Sequence, residues 1–430
     1  MEKYFNFKEL NTNLKQEILG GISAFIGMAY IIILIPKIMQ DAGFDSGAIL
    51  TSLCIMAFLS SIFMGLYART PFATAPYLGE GAFLTYTIIL AMGVNPFEAL
   101  GVIFVCGAVL LIATLLNIRP KLVNSIPKSL KFSFTIGLGM FLFYTGLDAI
   151  ELIKIENNIP LINNILNPHT LIALFSLLIT FILNVKNNKY AILAGISTAT
   201  ILGILIGDIS FPKNIFSTIP TIEPTFLKLN ILGVFDIKFL PIIFIMLIII
   251  FADTMGTTIT LASKANLLDK DGNLKNIKKV MLVDSISTIL SPLLGNVTTG
   301  TYAEASVGIE SGAKSGLAPI ITGVLFLGAL FLAPLINIIP PYAYGCALIA
   351  VSISMISLIK EIDFNDKTEY IPALFAILVM VLSKNLGIGM IFGFILYPIL
   401  KFFKEGKNAI NPTNIILLLA SILFLIFYPY

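Results

Sequence analysis

More than ten apolar runs, each near the roughly 20 residues that carry a helix across a bilayer, follow one another from Gly20 onward with only short polar connections. Backbone groups in hydrocarbon have no water to bond, so a chain built of such runs folds as packed membrane helices. One run is compatible with an anchor; this many are not. The composition agrees: 57% of the 430 residues are hydrophobic, 12% are charged and the mean hydropathy is +0.96, outside the balance of a soluble domain. Met1 to Lys15 is polar and mixed in charge, so no cleavable signal is expected and the first apolar run reads as a first transmembrane helix.

The net charge of +3 resides in loops rather than in a basic tract, which argues against nucleic acid as a partner. Cys54, Cys106 and Cys346 each sit inside an apolar run without CxxC spacing and read as buried thiols. The single histidine, His169, starts a helix after Asn167-Pro168 and has no second imidazole with which to share a metal. No cofactor or metal is expected.

Apolar runs and their Gly, Pro and charged punctuation predict spans near 18–38, 46–67, 80–92, 96–117, 131–148, 169–185 and 190–207. After a polar loop from Asp208 to Lys238, seven more follow near 239–262, 279–293, 304–313, 317–338, 343–359, 369–384 and 386–403. The stretch Ile415 to Tyr430 reads as a short span, a half-span or an interfacial helix. With the N-terminus in the cytoplasm, most of the 27 Lys and Arg fall inside, and shifting the count by one span reverses that bias. The expectation is therefore an all-α, multi-pass protein of the cell membrane with about 14 segments.

The third and tenth spans are abnormal in the same way. Arg69 to Glu80 carries two prolines and small residues where a helix should run, and Ser291 to Glu304 is rich in Gly and Thr. Both read as extended backbone followed by a short helix that begins close to a Tyr and a Glu. Such backbone is tolerated at membrane depth only where protein buries it or it lines a cavity. Paired breaks in two halves point to a midplane binding site between inverted repeats.

Few ionisable residues lie within the apolar segments. Asp253 falls in the eighth span, Glu304 begins the tenth half-helix and Glu80 the third. A carboxylate at a helix centre in lipid costs about 2.5–3.5 kcal/mol, so each needs a partner or a task. At a half-helix start, free N–H groups and the dipole favour charge while burial opposes it, which suits proton exchange. A carboxylate also matches a planar base, accepting adjacent ring and exocyclic N–H donors, while half-helix N–H groups donate to ring nitrogens or carbonyls. Tyr77, Phe83, Phe251 and Tyr302 are candidate stacking faces and equally candidate packing residues. Asp284 and Glu310 read as structural or cytoplasm-facing, and Asp269 to Gly272 as a cytoplasmic turn rather than a calcium loop.

At these residues the chain resembles the AzgA-like purine permease branch of the nucleobase-cation symporters, relatives of the xanthine, uracil and ascorbate transporters. The resemblance rests on Gly27-Met-Ala-Tyr30, Ala75-Pro76 with Gly79 and Ala82-Phe83, Asp253-Thr-Met-Gly-Thr257, Leu267 to Gly272, and Tyr302-Ala-Glu-Ala-Ser-Val-Gly308, in that order along nearly the whole chain. It implies fourteen segments in two inverted repeats of seven. It implies a core domain from 15–117 and 239–338, a gate domain from 128–207 and 341–404, and an extra hydrophobic segment at 413–430. It implies import of a nucleobase such as adenine, guanine or hypoxanthine by proton symport and alternating access. The family's acids of the eighth and tenth spans fall on Asp253 and Glu304, which become the expected substrate-binding and proton-coupling residues. Glu80, Gly81, Ala82, Phe83, Tyr77, Phe251, Tyr302 and Ala303 complete the expected substrate site. Glu80-Gly81 departs from the Leu-Asn pair usual in similar purine permeases, and Ile250 stands where an additional Asp is often found. Sodium stays open as the coupling ion, as does a homodimer. The rival readings are an anion transporter similar to the sulfate permeases, a channel and an intramembrane enzyme. Three acids at the presumed site repel an anion, interrupted spans suit occlusion better than an open pore, and no nucleophile-base or metal set is visible for an enzyme.

Overall fold

The computed structural model describes residues 2–116, 127–156, 159–268, 274, 276–383, 385–406 and 412–427. Among these, nine helical stretches are long and apolar enough to cross a membrane. Their outer faces carry exposed apolar side chains in helical register, as with Phe175, Leu178 and Ile182. The chain is a multi-pass membrane protein.

The first half comprises α1 (Leu14–Met28), α2 (Ile31–Asp41), α3 (Ser46–Phe63), β1 (Thr74–Pro76), α4 (Leu78–Ala82), α5 (Pro96–Leu115), α6 (Lys128–Ala149), a β2–β3 hairpin (Ile153–Glu156, Ile159–Ile162), α7 (Pro168–Val185) and α8 (Ala191–Leu205). The second comprises α9 (Leu240–Lys264), α10 (Ile277–Leu293), β4 (Thr299–Thr301), α11 (Ser306–Glu310), α12 (Leu317–Ala329), α13 (Ala333–Asn337), α14 (Pro341–Ile356), α15 (Lys367–Ser383), α16 (Leu386–Glu405) and α17 (Pro412–Phe427). Local signals set many starts. Asn95-Pro96 and Asn167-Pro168 each place a capping amide before a proline at the first helical position, where the missing N–H costs nothing.

Several boundaries differ from the sequence expectation. The span expected at 18–38 is two helices, broken at Ala29–Tyr30 by a tight turn in which Ile32 and Ile33 donate three residues back. The stretch at 304–313 is a 3-10 turn (Ala303–Ala305) followed by α11, and 317–338 is α12 and α13 joined by another such turn. Residues 412–427 form a helix packed on α16 and α9. The turn expected at Asp269 to Gly272 lies outside the described residues.

Packing sorts the helices into two groups. α12 lies between α1 and α3, and α10 lies along α5; in the other group α6 crosses α14 and α15, α15 runs along α16, and α7, α8 and α14 pack together. Small residues set both seams. A Cβ on Gly65 would stand 2.2 Å from the carbonyl of Gly316, and one on Gly146 3.0 Å from that of Gly345. Between the groups, Phe83 meets Phe134 edge-on at 6.0 Å, and Lys189 Nζ donates to Ser23 Oγ at 2.7 Å.

Candidate functional site

β1 and β4 meet inside the first helix group as an antiparallel pair, Thr74 opposite Thr301, Ala75 opposite Gly300 and Pro76 opposite Thr299. A strand this short exposes backbone groups that hydrogen bonds must satisfy, because each one left unmet costs about 1–3 kcal/mol. Side-chain hydroxyls of the flanking helices supply them. Ser61 Oγ donates to the Thr74 carbonyl at 2.9 Å and accepts from Thr74 N, while Thr288 Oγ1 donates to the Thr299 carbonyl and Ser291 Oγ to that of Val297. Asn296 Nδ2 bonds Ser52 Oγ at 2.7 Å and the Ile49 carbonyl, tying the second arm to α3.

Each strand leads into a short helix. Glu80 lies in the first turn of α4, which continues as a π-helix over Phe83–Ala91; Glu304 lies in the 3-10 turn ahead of α11. Tyr77 and Tyr302 cross between the arms, with rings 5.6 Å apart and 24° from parallel. Tyr77 Oη donates to the Thr301 carbonyl at 2.9 Å, and Tyr302 Oη donates to the Pro76 carbonyl at 2.8 Å and accepts from Leu78 N. Their rings and hydroxyls thus fasten the crossing, and the pair acts as a clasp. Phe83 is fully buried against Phe134 of α6, and Phe251 is buried on α9. Gly81 and Ala82 are buried in the last turn of α4, with the Cβ direction of Gly81 open until Val297 at 3.7 Å; Ala303 is exposed at the start of its turn.

α9 brings Asp253 to this crossing. One turn on, Thr257 Oγ1 lies 2.8 Å from Thr301 Oγ1, and Thr258 Oγ1 lies 3.1 Å from the same atom, so the helix is bonded to β4. The Asp253 carboxyl comes within hydrogen-bonding reach of Glu80 on α4. Asp284 accepts from Thr254 Oγ1 at 3.1 Å and lies behind the strands, where its role is to hold α9 against α10. Glu310 pairs with Lys264 at 2.7 Å, away from the crossing. Among the described residues, no group of three or more His, Cys, Asp or Glu side chains is arranged to hold a metal.

The sequence reading assigned no site role to Tyr30. At the α1–α2 break its Oη donates to Glu304 Oε1 at 2.5 Å, giving that carboxyl a fixed partner from the other end of the chain. The signal available was a phenol in an apolar run beside Gly27, which reads equally well as packing.

Two interrupted arms cross at a set of carboxyls enclosed by apolar helices, and the family comparison makes the chain a membrane transport protein of the permease type. The chain belongs to the xanthine/uracil permease family, whose family description, Permease family, matches residues 15–396. It is 41% identical over 94% of its length to a Methanocaldococcus jannaschii protein whose name goes no further than permease, covering 93% of that chain. It is 31% identical to the adenine permease AdeP of Escherichia coli, with 99% of this chain and 96% of that one aligned. The guanine/hypoxanthine permease PbuG of Bacillus subtilis is also 31% identical, with 99% and 100% covered. Among solved structures, the transmembrane domain of the cyanobacterial bicarbonate transporter BicA has the same fold, with a TM-score of 0.66 at 19% identity over 89% of this chain and 97% of that one.

Proposed function

We propose that this protein is a secondary active transporter that imports a purine nucleobase, of the adenine, guanine or hypoxanthine type, across the cell membrane by proton symport. The observation that carries the reading is that Glu304, held by Tyr30, and Asp253, on the α9 helix bonded to β4, both stand beside the crossed strands. A carboxylate so fixed accepts two neighbouring N–H groups of a planar base, and N–H groups in the first turn of α4 and at the start of the Ala303–Ala305 turn donate to its ring nitrogens or carbonyl. Asp253, Glu304, Glu80, Gly81, Ala82, Phe83, Tyr77, Phe251, Tyr302 and Ala303 make up the proposed substrate site. Sequence likeness to adenine and guanine/hypoxanthine permeases over nearly the whole chain supports a purine.

Transport then proceeds by alternating access. The helices of 15–117 and 239–338 serve as a core that carries the site, and those of 128–207 and 341–404 as the gate it moves against, in fourteen segments forming two inverted repeats of seven. The separation of the helices into two packing groups supports this division. The N-terminus lies in the cytoplasm, and 413–430 is an addition to the repeats.

An anionic substrate on the same fold is the competing reading, and three carboxyls at the site disfavour it by repulsion. Purified protein in proteoliposomes, given radiolabelled adenine, guanine, hypoxanthine, xanthine or uracil with and without an inward proton gradient, tests the proposal. Accumulation of a purine that rises with the gradient is expected. Uptake of bicarbonate or sulfate with no purine binding would replace this reading with the anion one.

A further inference from the structure

Glu80 is 1% exposed, and among the described residues neither of its carboxyl oxygens meets a hydrogen-bond donor. The polar group within reach is the carboxyl of Asp253 on the facing helix α9. Two ionised carboxylates are acceptors only and cannot bond each other, whereas an acid and a carboxylate can. No described Lys or Arg forms an ion pair with Glu80, Asp253 or Glu304. The other titratable groups facing this pair are acidic or phenolic: Tyr77 ahead of α4, Asp284 on α10, and Glu304 and Tyr302 on the second arm. Among the described residues, no cationic side chain pairs there to offset a second negative charge.

We propose that Glu80 and Asp253 share one proton and form the coupling site of the transporter, separate from Glu304, whose task is to hold the base. The proposal rests on the nucleobase reading for its cargo and on the carboxyl pair for its proton. Glu304 differs from Glu80 in one decisive respect: Tyr30 donates to it, so it has a hydrogen-bond partner without taking up a proton. The step is a transfer of one proton onto and off the pair. An O–H bond forms on one carboxyl as a hydronium ion on one side of the membrane gives up its proton and becomes water, and it breaks as water on the other side takes the proton. The pair is well placed for this. Gly79, one residue before Glu80, packs so closely on Leu138 of α6 that an added Cβ would lie 2.8 Å from it, so sliding of the two helix groups changes what covers the pair.

Glu80→Gln, Glu80→Asp, Asp253→Asn and Glu304→Gln, all in full-length reconstituted protein, test this with two readouts. The first is the carboxylic-acid C=O infrared band at neutral pH, which needs no substrate; it is expected in the parent protein and in Glu304→Gln, and is expected to be lost in Glu80→Gln and Asp253→Asn. The second is purine transport: a one-unit proton gradient is worth about tenfold accumulation for one proton per base. Glu80→Gln should lose that accumulation, and Glu80→Asp should recover part of it. A parent protein without the band, or Glu80→Gln that still concentrates purine with the proton gradient, overturns the shared-proton site. Accumulation that follows a sodium gradient overturns it as well. A parent protein that shows the band but binds no purine instead overturns the nucleobase reading and leaves the carboxyl pair standing.

Discussion

Tyr30 donates to Glu304 across 274 residues of sequence, and this contact decides which acid is fixed and which are free. Tyr30→Phe removes the donor but keeps the ring, leaving a half-buried carboxyl without its partner. The expected loss of purine affinity is about 1–3 kcal/mol, roughly tenfold to a hundredfold, read by equilibrium binding to purified protein. Glu304→Gln should cost a similar amount, because its amide NH2 faces the N–H donors of the base. Unchanged binding in both variants would remove this pair from the site. Asp253, Glu304 and Glu80 were legible as acids stranded in apolar sequence. Tyr30 was not, since a tyrosine between aliphatic residues carries no cost that demands explanation. Tyr77 and Tyr302 were legible as neighbours of the site, but their stacking on each other came from the crossing itself.

At the scale of elements, the crossing depends on how closely β4 can approach its surroundings. A Cβ at Gly300 would lie 2.6 Å from both Tyr77 Oη and Asp284 Oδ1, closer than atoms pack. Gly300→Ala should therefore destabilise the protein by about 1–3 kcal/mol, as overpacking does. Gly328→Ala on α12, where the added methyl meets nothing within 4 Å, should be neutral or slightly stabilising. Thermal unfolding of both in the same detergent compares them, and equal melting temperatures would show that the crossing tolerates a side chain. A second element-level device joins α15 to α16. Asp366 accepts from Thr368 N and Oγ1 and pairs with Lys404 at 2.9 Å and Lys401 at 3.4 Å. The Lys404 ammonium and the Thr368 donors hold its carboxyl below the ordinary carboxylate range. A depressed value means that the stabilisation is present above the unfolded-state value of about 3.9 and is lost as pH falls through the folded one. Stability should thus fall in acid below about pH 4, and Asp366→Asn should flatten that fall. An identical acid limb in the variant would assign the loss to other groups.

For the whole molecule, the charge bias of the loops predicts which end faces the cytoplasm. Lys228 lies in the loop at the opposite end from Lys189 and Lys264, with Asn230 N bonded to the Phe97 carbonyl nearby. A cysteine at Lys228, in a background lacking Cys54, Cys106 and Cys346, should react with a membrane-impermeant reagent supplied from outside; labelling from the cytoplasmic side alone would invert the topology. The sequence by itself determined the solvent, the helical class, the places where spans fail and the acids that lipid makes expensive. Each of these follows from local composition set against the cost of burying polar groups in hydrocarbon. Only the tertiary structure decided that β1 pairs with β4, that Tyr30 reaches Glu304 and that Glu80 faces Asp253. Those contacts join residues more than 170 positions apart, and no local pattern encodes which two distant segments meet. They are fixed by close packing at glycines such as Gly300 and Gly65, where the absence of a side chain, uninformative along the chain, allows one backbone to touch another.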